Sequence, residues 1–160
     1  MRSLRVLAAV LLLAGCAAAA PAGDVDSKIE VARAVPGASK DRIFNATKAW
    51  IGANFHSAKR IIDYENRDEG VLIASSMIPF PCSGAQCTAK ADWVVLFTVR
   101  VDIQDGSSRV TFTNVLLTWP QLSYRPGYEG PVRPYGDWDA VKARLLGLAA
   151  DMQRSSVERQ

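Results

Sequence analysis

The clearest hydrophobic pattern in this chain predicts an amphipathic helix that begins after Ser39. At 100° per residue, the positions from Ile43 to Phe55 place a continuous apolar stripe on one side of the helix. Ser39 offers an N-cap oxygen, and Asp41 places negative charge in the first turn. A stripe this wide requires a large flat partner, and we expect a β-sheet. Its members are Ile43, Phe44, Thr47, Trp50, Ile51, Asn54 and Phe55.

Alternating apolar and polar positions predict strands on both sides of this helix. The strongest alternation runs from Trp93 to Gln104, where every second residue is apolar and Thr98, Arg100 and Asp102 lie on the other face. The segment Asp105-Gly106-Ser107-Ser108 indicates a hairpin after it. Five strands are predicted in all, at 26–34, 59–65, 71–78, 93–104 and 109–119.

A second helical stripe lies near the end of the sequence. It predicts a helix from Trp138 to Gln153, capped by Asp137, and its apolar positions are Trp138, Val141, Leu145, Leu148, Ala149 and Met152. The preceding stretch, Pro120 to Asp137, is predicted to be a long loop. The order β-α-β-β-β-β-α predicts an α+β two-layer sandwich, with both helices on one face of an antiparallel sheet and the other face at least partly open.

The first sixteen residues predict export and lipid attachment. Arg2 and Arg5 precede an apolar run, and Leu13-Ala14-Gly15-Cys16 follows it directly. This order is that of a bacterial lipoprotein signal, in which Cys16 is acylated. The alternatives are a transmembrane helix, for which the run is too short, and an ordinary cleaved signal, which has no use for that Cys. We expect a signal peptide at 1–15, a lipidated Cys with a flexible tether at 16–25, a domain at 26–154 and a frayed tail at 155–160.

The charge balance changes when the signal peptide is removed. The whole chain carries 19 basic and 16 acidic residues, a formal net charge of +3. Loss of Arg2 and Arg5 leaves 17 basic residues against 16 acidic ones, a net charge of +1. Nucleic-acid binding requires a concentrated basic surface, so we expect none.

The cysteines indicate a structural crosslink. With Cys16 acylated, Cys82 and Cys87 remain, separated by four residues. In an oxidising envelope compartment we expect them to form a disulfide. The alternative, a metal site, would need more ligands, and the chain's one histidine, His56, is far away in sequence.

The stretch from Ser39 to Ala74 resembles the core of a bacterial domain-of-unknown-function family described as having a TBP-like fold. The resemblance implies a curved antiparallel sheet with two helices on one side, in proteins that are often secreted or lipid-anchored. It implies neither DNA binding nor catalytic residues, because a fold does not determine a function. The matching positions are Ser39, Lys40, Ile43, Phe44, Lys48, Trp50, Asn54, Phe55, Tyr64, Glu65 and Gly70.

Catalytic chemistry has little support in the sequence. The motifs of serine hydrolases, zinc proteases, P-loops and dinucleotide-binding folds are missing from the sequence. Asp63 and Glu65 share a strand face and could form an acid–base pair, but solvated hairpin charges are the simpler interpretation. We therefore expect no enzymatic activity, no cofactor and no metal.

Only the segment from Pro120 to Tyr135 has a composition that indicates binding of a partner. It is rich in residue types that form protein contacts, although such a loop can also fold its rings back over its own sheet. The candidate partner-binding residues are Tyr124, Arg125, Tyr128, Arg133 and Tyr135.

Two functions follow from these observations. The first is a membrane-anchored lipoprotein of the bacterial cell envelope, in the outer membrane facing the periplasm, that binds an envelope protein or another envelope component without catalysis. The second is a small hydrolase-like envelope enzyme with an unrecognised site. The missing catalytic motifs favour the binding module.

Overall fold

The computed structural model describes residues 28–55 and 62–158 of the chain. The predicted signal peptide, Cys16, the tether and His56 lie outside these ranges, as do residues 59–61 of the predicted second strand. The elements are β1 (Ile29–Ala34), α1 (Lys40–Asn54), β2 (Ile62–Asn66), β3 (Val71–Pro79), α2 (Gln86–Ala89), β4 (Val94–Gln104), β5 (Ser107–Trp119), β6 (Tyr128–Pro131) and α3 (Trp138–Glu158).

The strands form one antiparallel sheet in the order β1-β5-β4-β3-β2, with β6 also paired to β5. The long β4–β5 hairpin is the centre of the sheet, and its turn is the predicted Asp105-Gly106. Along the other side of β5, β1 pairs with the first half and β6 with the last residues. Both short strands therefore share one edge of β5, one after the other.

Both long helices pack on the same face of this sheet, as predicted. α1 contacts α3 and β4, and α3 contacts β1 and β5. The Phe55 ring meets Trp50 and Phe97 edge-on, with centroids 5.3 and 5.7 Å apart. On the opposite face Arg100 is exposed, and Thr98 and Asp102 are half-buried. The alternation in β4 thus separates a buried face from an open one, and the α+β two-layer prediction is confirmed.

The beginning of α1 is held by the two hairpin turns of the sheet. Ser39 caps the helix, its Oγ accepting from the Arg42 N–H at 3.4 Å. Lys40 donates its backbone N–H to Asp105 Oδ1 at 2.6 Å and its Nζ to the Asp68 carbonyl at 2.8 Å. One residue therefore ties the helix to both the β2–β3 and the β4–β5 turns.

Three details differ from the sequence predictions. The segment from Pro120 to Asp137 is not entirely loop, because it contains β6, which pairs with β5. The last helix continues to Glu158, so residues 155–158 are not a frayed tail; Ser156 is buried there and donates to the Met152 carbonyl at 3.3 Å. Asn54 is exposed rather than buried, and its side chain donates to the Trp50 carbonyl at 3.0 Å near the helix end.

The cysteine-containing segment between β3 and β4 also holds the short helix α2.

Among the helices that the structure describes, none is both long enough and apolar enough to cross a membrane.

Candidate interaction surface

A row of aromatic rings lies at the end of the sheet opposite the β4–β5 turn. Trp93 and Trp119 stack with centroids 4.5 Å apart, and Tyr128 stacks on the other side of Trp119, also at 4.5 Å. Phe80 meets Trp93 edge-on at 5.5 Å, and Tyr135 meets Tyr128 edge-on at 4.7 Å. We call residues 80–93 and 119–139, which carry these rings, the aromatic end.

Strand pairing explains why these rings meet. In the β4–β5 ladder Val94 lies opposite Thr118, so Trp93 comes next to Trp119. In the β5–β6 ladder Trp119 lies opposite Tyr128. Rings on adjacent strands are close enough to stack, and stacked aromatic pairs are worth about 0.5–1.5 kcal/mol beyond the area they bury.

Tyr124 projects from a tight turn built on this row. The turn is closed by two backbone hydrogen bonds between Leu122 and Arg125, of 2.8 and 3.2 Å. Its base is fixed by the Trp119 indole N–H, which donates to the Pro126 carbonyl at 2.9 Å. Tyr124 is 82% exposed at the tip. An exposed aromatic side chain is therefore carried on a well-supported backbone.

Cations lie against the faces of the same rings. The Arg125 guanidinium is 5.4 Å from the centre of the Trp119 ring and forms an ion pair with Asp92. Lys90 Nζ is 4.9 Å from the centre of the Trp93 ring. Both distances are within the range of cation–π attraction. The Arg125–Asp92 ion pair ties the loop after β5 to the loop before β4.

The five predicted contact residues do not all play the same role. Tyr128 and Arg125 are half-buried and pack on Trp119, so for them the alternative interpretation, a loop folded back over its sheet, is correct. Arg133 is exposed and lies 5.9 Å from the centre of the Trp138 ring. Tyr124 and Tyr135, 82% and 55% exposed, are the tyrosines of this set that present most of their surface to solvent.

Sequence reasoning missed the two tryptophans that support this surface. The alternation predicts only that Trp93 and Trp119 belong to strands. Their meeting could have been found by counting outwards along both strands from the Asp105-Gly106 turn, with allowance for the one-residue register shift between the Leu96–Leu116 and Thr98–Thr113 pairs.

The disulfide prediction is confirmed. Cys82 and Cys87 are bonded, with Cα atoms 5.5 Å apart. Cys82 lines an open cleft of about 430 Å³ together with Lys90 and Asp137. The disulfide therefore fixes a short loop beside the first turn of α3, within the aromatic end.

Several of the charged groups that the structure describes form ion pairs. Glu65 binds Lys48 of α1 at 2.7 Å, which supports the interpretation of Asp63 and Glu65 as hairpin charges. The bidentate hydrogen bonds to Asp102 raise the pKa of Arg100. Burial against the ring stack, with a smaller effect of Tyr135, raises the pKa of Tyr128. Within residues 28–55 and 62–158, no three His, Cys, Asp or Glu side chains gather into a metal-binding group.

The residues that carry the family resemblance build the framework rather than this surface. Lys40 joins the two turns, Lys48 pairs with Glu65, and Trp50 is 3% exposed in the core. Gly70 has a φ of +70°, and a Cβ at this position would lie 2.1 Å from the Ile103 carbonyl oxygen. Each of these roles concerns folding, so the resemblance alone does not indicate a binding site.

Comparisons with solved structures agree with this architecture. A TBP-like protein from Parabacteroides distasonis matches with a TM-score of 0.64 and 15% identity, over 82% of this chain and 92% of that one. A DUF4468 family protein from Bacteroides ovatus matches with a TM-score of 0.52 and 16% identity, over 82% of this chain and 85% of that one. At these identities the likeness concerns the fold alone.

Comparison with curated proteins gives no match. Comparison with protein families matches residues 32–117, more than half of the chain, to a domain of unknown function, DUF4468, with a TBP-like fold. This range runs from the second half of β1 to Leu117, two residues before the end of β5, and it includes the whole stretch in which the sequence resemblance was found. The chain therefore belongs to the DUF4468 family of domains with a TBP-like fold.

Proposed function

We propose that this protein is a lipid-anchored, non-enzymatic binding module of the bacterial cell envelope, and that its binding surface is the aromatic end. The observation that carries the proposal is the exposure of Tyr124 and Tyr135, 82% and 55%, on a base of stacked rings. Tyrosine gives a large contact area at a low cost in conformational entropy, and it is enriched among residues that dominate binding energy.

The support beneath these tyrosines favours recognition. Trp119 is held by its stacking partners and its indole hydrogen bond, and Arg125 is held by Asp92. A surface whose backbone is fixed before binding loses less entropy when a partner docks. The aromatic end therefore meets the physical requirements of a preorganised contact surface.

Lipid attachment is the second part of the proposal, and its support is the order of residues before Cys16. A basic start, a short apolar run and Leu-Ala-Gly-Cys are the features that a lipoprotein signal needs. We place the mature protein on the outer membrane, facing the periplasm. Replacing Cys16→Ser should leave the chain at its precursor mass and without incorporated fatty acid. Normal processing and labelling of that variant would refute this part.

Site-specific photocrosslinking in living cells tests the binding surface. A photoreactive amino acid replaces Tyr124 in one variant and Tyr64 in another; Tyr64 is 45% exposed and lies on β2, outside the aromatic end. We expect a reproducible adduct with an envelope component from position 124 and none from position 64. Equal adducts at both positions, or none at position 124, would contradict the proposed surface.

A further inference from the structure

The direction of β1 shows which end of the domain the N-terminal segment leaves. β1 is antiparallel to β5, with Ile29 opposite Phe112 and Ala34 opposite Ser107. From Ala34 back to Ile29, β1 therefore runs beside β5 and away from the Asp105-Gly106 turn. It leads towards Leu116 to Trp119, where β6 occupies the same edge of β5. The chain before β1 thus leaves the domain in the direction of the aromatic end.

The distances allow the lipid anchor to lie at that end. From Phe112 to Trp119 along β5 is about 23 Å, at about 3.3 Å per residue. The twelve residues from Cys16 to Ser27 span at most about 40 Å, and about 19 Å as a flexible coil. For the opposite end of the sheet to face the membrane, the same segment would have to reverse its direction.

The aromatic end has the residue types that settle at a membrane–water interface. Tyrosine and tryptophan are enriched at the headgroup level, because one part of the ring system is apolar and the other forms hydrogen bonds. Tyr124 and Tyr135 are exposed there, and Trp138 is half-buried beside Arg133. The charges of this end nearly balance, since Lys90, Arg125 and Arg133 accompany Asp92, Glu129, Asp137 and Asp139.

We propose that the aromatic end rests on the same bilayer that holds the acylated Cys16, with Tyr124 and Tyr135 in the headgroup region. This inference rests on the lipid attachment in the proposed function, and it names the bilayer as the component that the surface contacts. The anchor makes the contact intramolecular. A short linker gives the tethered surface an effective concentration in the millimolar range at the bilayer. The surface can therefore contact the bilayer even if its affinity is too weak to hold an unanchored protein there.

Two consequences distinguish this contact from other modes of association. Because the aromatic end carries three basic and four acidic residues, the contact should not strengthen as the fraction of anionic lipid rises. Because it depends on the anchor, it should weaken when the linker is lengthened. Inserting twenty Gly/Ser residues after Ala22 extends the twelve-residue segment to thirty-two. The effective concentration should then fall about fourfold, following the −3/2 power of linker length.

The test uses the acylated protein, which is purified from membranes. It is reconstituted in phosphatidylethanolamine vesicles that contain from 0 to about 30% of the anionic lipid phosphatidylglycerol. A nitroxide is attached at Tyr124→Cys in one sample and at Tyr64→Cys in the other, and its accessibility to a water-soluble nickel chelate is measured. We expect position 124 to be protected and position 64 to be accessible, at every lipid composition. The longer linker should reduce the protection at position 124.

The outcomes separate this inference from the proposed function. Equal accessibility at positions 124 and 64 overturns the bilayer contact; if position 124 still yields a protein adduct in cells, the surface binds a protein instead. Protection that appears only with phosphatidylglycerol overturns the neutral interfacial contact in favour of charge attraction. A mass spectrum without acyl chains on Cys16 overturns both the anchoring and the inference that rests on it.

Discussion

Replacing Gly70 by alanine should destabilise the protein far more than replacing Gly106, although both glycines have almost the same backbone conformation. Their φ angles are +70° and +69°. Alanine pays about 1–2 kcal/mol to adopt this left-handed conformation, and the substitution narrows the unfolded ensemble equally at both positions. The conformational cost is therefore common to the two variants and cancels when they are compared.

The surroundings of the two glycines are different. A Cβ at Gly70 would lie 2.1 Å from the Ile103 carbonyl oxygen, whereas at Gly106 the nearest atom, the Val35 carbonyl oxygen, is 3.9 Å away. Backbone atoms cannot rotate out of the way as a side chain can. To relieve the overlap, the β2–β3 turn must move away from β4. This movement breaks the 2.7 Å hydrogen bond that the Ile103 N–H donates to the Gly70 carbonyl. Leaving these two groups without partners costs about 1–3 kcal/mol.

Gly70→Ala should therefore lower the free energy of unfolding by about 2–5 kcal/mol, and Gly106→Ala by about 1–2 kcal/mol. Urea denaturation followed by tryptophan fluorescence measures both, and the corresponding fall in Tm is about 3–6 °C per kcal/mol. Gly37→Ala is a second control, because Gly37 has a φ of +77° and its Cβ would meet nothing within 4 Å. Equal losses in all three variants would refute the packing argument and leave only backbone strain.

Three further predictions concern the core, the disulfide and the ring stack. Trp50→Ala should lower the free energy of unfolding by about 3–5 kcal/mol, because Trp50 is 3% exposed and packs on Phe55; a loss near zero in urea denaturation would contradict its place in the core. Replacing both Cys82 and Cys87 by serine should lower the free energy of unfolding by about 2 kcal/mol, because the disulfide closes only a small ring. The circular dichroism spectrum of the variant should match that of the wild type. Two free thiols in a titration of the oxidised wild-type protein would refute the disulfide. Burial raises the pKa of Tyr128 above the ordinary value of 10.0, so its stabilising contribution is complete below pH 10 and is lost as the pH rises through the folded-state pKa. The wild type should lose stability relative to Tyr128→Phe as the pH rises above about 10, and parallel losses of the two proteins in urea denaturation would exclude the effect.

Local sequence patterns are enough to predict several elements of this fold. The alternation in β4 predicted which face is buried, and the stripe of α1 predicted Trp50 in the core, because burial of one face imposes the period of the element on the sequence. Ser39, Asp137 and Asp105-Gly106 act through neighbours a few residues away, so the two helix caps and the hairpin turn could be predicted as well.

The structure of the segment after β5 depends on contacts between residues that are far apart in sequence. Its prolines and glycines resemble those of any loop, and nothing local indicates that Tyr128 pairs with Trp119 or that Arg125 reaches Asp92, 33 residues earlier in the chain. These contacts depend on where β4 and β5 place the two tryptophans. The distinction between half-buried Tyr128 and exposed Tyr124 therefore arises from strand pairing across the sheet, which the composition of the segment does not reveal. For the same reason the direction in which β1 leaves the domain follows from its register on β5, a long-range pairing that no window of sequence contains.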